Sequence, residues 1–232
     1  ALPEEGSKFD IAYSLRASSY RGQKQVTLQF EEFRVVRDAE KPIEVREAKT
    51  EIRDLRLQST LLNLQPSTLI WAEGTDKAIG ISRFELHQAD EFSIYTTPPS
   101  PVELRNALEI VKPKIVYVYA IPPAEEKPED YLNRLAGLCK YVLNQRRGKV
   151  TIQELAAAMA SRANAIQIGL EWLAAGGQLS VSIEEDIINL SAVKQEKNLY
   201  LQAELFIALK GILNETSAYR KYFASADLKT LL

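Results

Sequence analysis

Arg16, Tyr20, Arg21 and Lys24 fall within nine positions of one another, and no acid interrupts the chain from Ile11 to Phe30. Long cations beside an aromatic ring can neutralise phosphates while a base stacks on the ring. That is the chemistry of single-stranded nucleic-acid binding. The same four residues also suit the solvated turn of a hairpin, and composition alone leaves both readings open. Other reactive residues stand alone. His87 is the sole histidine, so a Ser-His-Asp system or a His-bearing metal site would have to use it by itself. It reads instead as a polar surface or cap residue. Cys139 falls on or beside the apolar side of a helix and reads as core. Glu184-Glu185-Asp186 reads as a turn, since no partner carboxylates are indicated nearby.

The elements that must carry these residues follow from periodicity. Ile11, Tyr13 and Leu15 alternate with polar positions, as do Val26, Leu28 and Phe30 after the turn around Gly22, so Phe9 to Val36 is expected to form a long β-hairpin. A charged stretch with Pro42 at its centre leads into a short strand or ordered turn around Ile52 to Leu57. Thr68–Ala72, Phe92–Thr96 and Ile115–Ala120 are apolar runs without alternation, the pattern of strands covered on both faces. Between the last two, Ser100 reads as an N-cap, Pro101 as the first helical residue and Glu103 as the partner in a capping box. Leu104, Leu108 and Val111 mark one face, and Lys112-Pro113 ends the helix. Strand, helix, strand over this span is a βαβ unit. Pro98-Pro99-Ser100 offers too few amides to cradle a diphosphate, which argues against a nucleotide site.

After the linker Pro122–Pro128, Tyr131, Leu135, Leu138 and Val142 mark a helix closed at Gly148. Lys149-Val150 is a short strand. Thr151 and Glu154 form a capping box for a helix with Leu155 and Met159, and Ser161 is expected to cap a third helix ended by Gly176-Gly177. Leu179–Ile183 and Ile187–Leu190 then form a hairpin. Helix, strand, two capped helices and hairpin is the order of a winged helix-turn-helix. From Glu196 the chain reads as a helix with Leu205, Phe206, Leu209, Ile212 and Leu213 on one stripe. The class is therefore multidomain α+β, with segments at 1–40, 41–124, 125–193 and 194–232.

Charge limits what the winged segment can do. From Val150 to Val193 there is one base, Arg162, against five acids. Its third helix offers Arg162, Asn164, Gln167 and Glu171 outward, and DNA readers place Lys or Arg there. Protein docking or an architectural role fits better. Arg134, Lys140, Arg146, Arg147 and Lys149, with no acid among them, suit either a strand's backbone or a solvated helix end. Overall, 29 Lys and Arg stand against 31 Asp and Glu, so basic character is confined to patches. One cysteine excludes an internal disulfide and a cysteine-only metal site, and agrees with a reducing cytoplasm. No apolar run approaches membrane-spanning length.

F-D-I-A-Y-x-L, the Tyr20-x-Gly22 turn and V-T-L-Q-F-E-E-F-R resemble the closing hairpin of the OB barrel in RecJ, the bacterial single-strand-specific DNA exonuclease. That family more often has Trp where this chain has Tyr20. The resemblance covers about thirty residues and continues more loosely beyond them. It implies a parent enzyme with a DHH-type core dependent on Mn²⁺ or Mg²⁺. No Asp-His-His signature occurs in this sequence, so no catalytic residue and no cofactor is assigned to it. An OB barrel needs five strands, and eight residues precede Phe9, which with an initial Ala fits an excised fragment. The expectation is an accessory C-terminal region, without a catalytic site of its own, that holds single-stranded DNA weakly through Arg16, Tyr20, Arg21 and Lys24. It would also dock a partner such as a helicase or a single-strand-binding protein. The alternative is a regulatory protein-interaction module that makes no nucleic-acid contact.

Overall fold

The computed structural model describes residues 9–20, 23–35, 50–56, 65–124, 127–184 and 187–232, and these form six helices and three sheets. The chain divides into two compact units, Ala1–Glu47 and Ala48–Leu232.

The first unit is a two-stranded antiparallel ribbon of β1 (Phe9–Tyr20) and β2 (Gln23–Val35). Tyr13 pairs with Phe30, Leu15 with Leu28 and Ala17 with Val26, so the alternating apolar positions of both strands coincide on one face. A bulge between Ala12 and Tyr13 absorbs one extra residue of β2. Tyr13, Val26, Leu28 and Phe30 are each between 58% and 70% exposed. A ribbon of two strands has no layer of its own to bury such a face.

In the second unit, β3 (Glu51–Asp54), β4 (Leu69–Trp71), β5 (Glu91–Thr96) and β6 (Ile115–Ile121) form a parallel sheet in the order β3-β6-β5-β4. The two central strands, β5 and β6, are buried at nearly every position, which explains their unbroken apolar runs. Helix α1 (Pro101–Val111) crosses from β5 to β6. Ser100 Oγ accepts from Val102 N–H, and Lys112 adopts a left-handed conformation ahead of Pro113. Glu103 does not complete a capping box as expected: one carboxylate oxygen accepts from the Ser100 hydroxyl, and the other lies 3.7 Å from Arg83.

A second core is built by α2 (Pro128–Gln145), β7 (Lys149–Thr151), α3 (Ile152–Met159), α4 (Ala163–Ala175), β8 (Leu179–Glu184) and β9 (Ile187–Ala192). The strands pair antiparallel in the order β7-β9-β8. Tyr131, Leu135, Cys139 and Val142 recur at helical spacing and are buried together. Gly148, at φ +79°, is required where β7 meets β9: an added Cβ would lie 2.2 Å from Leu190 O. Thr151 and Glu154 form the expected reciprocal capping box. Replacing Thr151 by Ala is expected to cost about 1 kcal/mol, the usual loss for an N-cap, measured by urea unfolding. Ser161 does not cap α4. Arg162 occupies that position, and the Ser161 hydroxyl lies 3.0 Å from the Tyr131 hydroxyl in the core.

The final helices are α5 (Leu199–Ser225), capped by Asn198, and α6 (Leu228–Leu231). At 1.5 Å per residue α5 is about 40 Å long. Leu209 is fully buried in the helical core and Phe223 is fully buried in the α/β core, so one helix joins both. Arg56, which follows β3, donates to Phe223 O at 2.7 Å and to Ala226 O at 3.0 Å, satisfying carbonyls at the end of α5.

Candidate functional site

Of the four cation and aromatic positions singled out in the hairpin, three fall on described strands and Arg21 lies outside the described residues. Arg16 pairs with Thr27, Tyr20 with Gln23 and Lys24 with Ser19. Strand alternation puts positions 16 and 20 on one face of the ribbon, together with 14, 18, 27 and 29. Position 24 belongs to the other face, with the apolar row. The register thus puts positions 16 and 20 on one face, about 13 Å apart along the strand, and position 24 on the other. Two positions, rather than three, can track one strand of nucleic acid.

Of the five basic residues around α2, Arg134 and Arg146 are engaged. Arg146 pairs with Glu154 at 2.5 Å. Arg134 donates to Met159 O at 3.0 Å, and Arg220 of α5 donates to Ala160 O, so both guanidiniums serve the carbonyl end of α3. With Lys127 and Lys221 they line a cavity of about 730 Å³. Arg162 does not point outward from α4 as expected. It donates to Pro99 O at 3.3 Å and pairs with Glu215 at 3.0 Å, tying the start of α4 to the loop before α1 and to α5. Gln167 bonds Glu171 at 3.1 Å, which uses the next outward polar pair. Lys140, Arg147 and Lys149 are exposed.

A buried polar cluster at the carboxyl ends of β4 and β5 was not foreseen. Glu73 Oε1 accepts from Trp71 Nε1 at 2.9 Å, from Arg83 N–H at 2.9 Å and from Arg83 Nε at 2.8 Å, while Oε2 takes Arg83 Nη2. Glu73 N–H donates to Thr96 Oγ1 at 2.9 Å, and the Thr97 hydroxyl donates to Ala120 O at 2.6 Å. The guanidinium also lies over the rings of Phe84 and Trp71. In open parallel sheets this end is where ligands bind. Here a cavity of about 980 Å³ is lined by Ala72, Glu73 and Ile81, and both oxygens of Glu73 are engaged by Trp71 and Arg83. Trp71-x-Glu73 was legible as a strand end, but nothing in the spacing pointed to Arg83 ten residues on.

His87 is exposed, with Nδ1 3.2 Å from Glu85 O. Cys139 is buried, and burial pushes its thiol up to about 11, which keeps it protonated and unreactive. Glu185 and Asp186 lie outside the described residues. Among the described residues no group of three His, Cys, Asp or Glu could hold a metal, and no helix is long and apolar enough to cross a membrane.

Comparisons with protein-family models, with curated proteins and with solved structures find no match to this chain.

Proposed function

We propose that the chain is an accessory region of a single-strand-specific DNA exonuclease of the RecJ type, which holds single-stranded DNA through its ribbon and docks a protein partner. The observation that supports the reading is the register, in which positions 16 and 20 share the face opposite the exposed apolar row of Tyr13, Val26, Leu28 and Phe30. A ribbon with one apolar face fits a strand pair of a larger barrel, whose interior that face would line and whose outer face would meet DNA. Residues 128–192 have the strand and helix order of a winged helix-turn-helix. Arg162 is paired with Glu215 and the segment is acidic, so this part supplies docking to a helicase or a single-strand-binding protein rather than DNA contact. Cytoplasmic residence and a Mn²⁺- or Mg²⁺-dependent core elsewhere in the parent enzyme belong to the same proposal.

Labelled oligonucleotides test it. Tyr20→Ala is expected to weaken single-strand binding at every salt concentration by about five- to a hundredfold, the loss of one stacked base. Arg162→Ala is expected to leave binding unchanged within about twofold. A loss on Arg162→Ala with none on Tyr20→Ala moves the DNA to the other unit. No binding by the unaltered chain favours a regulatory interaction module, for which the paired Arg162 and the acidic segment already speak.

A further inference from the structure

Strand β8 forms one edge of the three-stranded sheet. Register decides which of its backbone groups are taken. Val193 N–H donates to Gln178 O at 3.2 Å, and on the other side of β9 Leu190 N–H donates to Gly148 O at 2.7 Å. Positions 180, 182 and 184, opposite 191, 189 and 187, therefore exchange bonds with β9. The N–H and C=O groups of Leu179, Val181 and Ile183 point the other way. Among the described residues no backbone bond reaches that outer row.

The other edges in this unit are guarded. Strand β3 reads Glu-Ile-Arg-Asp, β7 is three residues long and runs directly into α3, and the outer side of β4 is bridged by Ile81, whose N–H donates to Ile70 O at 2.8 Å. Strand β8, Leu-Ser-Val-Ser-Ile-Glu, has no Pro, no Lys and one charge at its far end, and Ile183 is 50% exposed. Natural edges that stay single carry such protection.

We propose that the open edge of β8 pairs antiparallel with β8 of a second copy about Val181, extending the sheet to six strands. In that register Val181 meets its own mate, Leu179 meets Ile183, Ser180 meets Ser182 and Gln178 meets Glu184. Outward groups fall opposite outward groups, giving about six new hydrogen bonds. No like charges oppose each other. Lys197 lines the same cleft as Gln178 and Leu179, so Glu184 of one copy arrives at the end of its mate that bears a lysine. The two Glu184 residues lie about 20 Å apart along the strands, beyond the reach of unscreened repulsion. The occupant that fits this edge is a second copy of the chain.

The contact is small, so a dissociation constant on the order of 10–100 µM is expected, as for transient interfaces. Sedimentation of the full chain across that range, combined with amide hydrogen exchange, tests it. The mass is expected to rise from 26.1 kDa toward twice that value. Exchange at Val181 and Ile183 is expected to slow with concentration, while exchange at Ser180 and Ser182 stays constant. Ile183→Pro removes an outward N–H and none from the β8–β9 ladder, and Ile183→Lys adds an edge charge. Each is expected to weaken the dimer about tenfold or more. A chain that stays monomeric to about 500 µM, some fivefold above the weakest affinity expected of such an interface, overturns the proposal. So does a dimer that both variants retain, or new protection in the Phe9–Val35 ribbon with none at Val181.

Discussion

Replacing Arg83 by Met is expected to destabilise the Ala48–Leu232 unit by about 3–5 kcal/mol, because it leaves the Glu73 carboxylate buried without its counter-charge. Glu73 is 2% exposed and Arg83 8%. With Arg83 gone, Trp71 Nε1 and the residue-83 amide are the only donors left to Oε1 among those now bonding it. For a unit of this size the melting temperature is expected to fall by roughly 10 °C, read by circular dichroism. The double change Glu73→Gln with Arg83→Met removes the orphaned charge and keeps an acceptor for both remaining donors. It is expected to recover half of the loss or more, which distinguishes a desolvated ion pair from simple loss of packing by the long Arg83 side chain. A cost below about 1 kcal/mol for the single change, the range of an exposed pair, would mean that water reaches the carboxylate.

Phe223→Ala is expected to cost about 3–5 kcal/mol as well, through a cavity in the α/β core rather than through charge. Phe223 is fully buried with Tyr219 against it, ring centroids 6.0 Å apart, and its carbonyl takes Arg56. Its loss should loosen the end of α5 together with α6, whose Leu228 is buried in the same core. Hydrogen exchange is expected to quicken across Leu228–Leu231 and the last turns of α5, with α2, α3 and α4 much less affected. Leu209→Ala strikes the same helix in the other core and should reverse that pattern. Uniform acceleration in both cores from either change would show that the two unfold as one cooperative unit.

How legible these features were depends on whether a local period or a distant partner determines them. The parallel strands announced themselves as apolar runs because both their faces are covered, and the Thr151 box could be read because its two partners lie three residues apart. Gly148 was read as a helix end, and the structure adds that Leu190 O leaves no room for a side chain. Ser161 was misjudged because a hydroxyl before a helix looks like a cap, whereas the neighbouring Tyr131 hydroxyl claims it. Arg162 looked like an outward cation, but its partners, Pro99 and Glu215, lie 63 and 53 residues away. The Glu73–Arg83 pair had no period to betray it, since a 3₁₀ turn and an irregular loop separate the two. The hairpin register was legible, so the shared face of Arg16 and Tyr20 could have been read from alternation. Lys24 was placed with them only by its nearness in sequence.

The central claim is that the ribbon meets a single strand of DNA, and the salt dependence of oligonucleotide binding tests it most directly. Arg16 and Arg21 can neutralise at most two phosphates, since position 24 belongs to the other face, so a plot of log affinity against log salt is expected to fall with a slope of about −1.4 for single-stranded DNA. Duplex of the same length should bind more weakly, because paired bases cannot stack on Tyr20. Arg16→Ala should reduce the slope by about 0.7, the share of one phosphate on a single strand. A slope near zero, equal affinity for duplex, or a slope that Arg16→Ala leaves untouched would contradict the account.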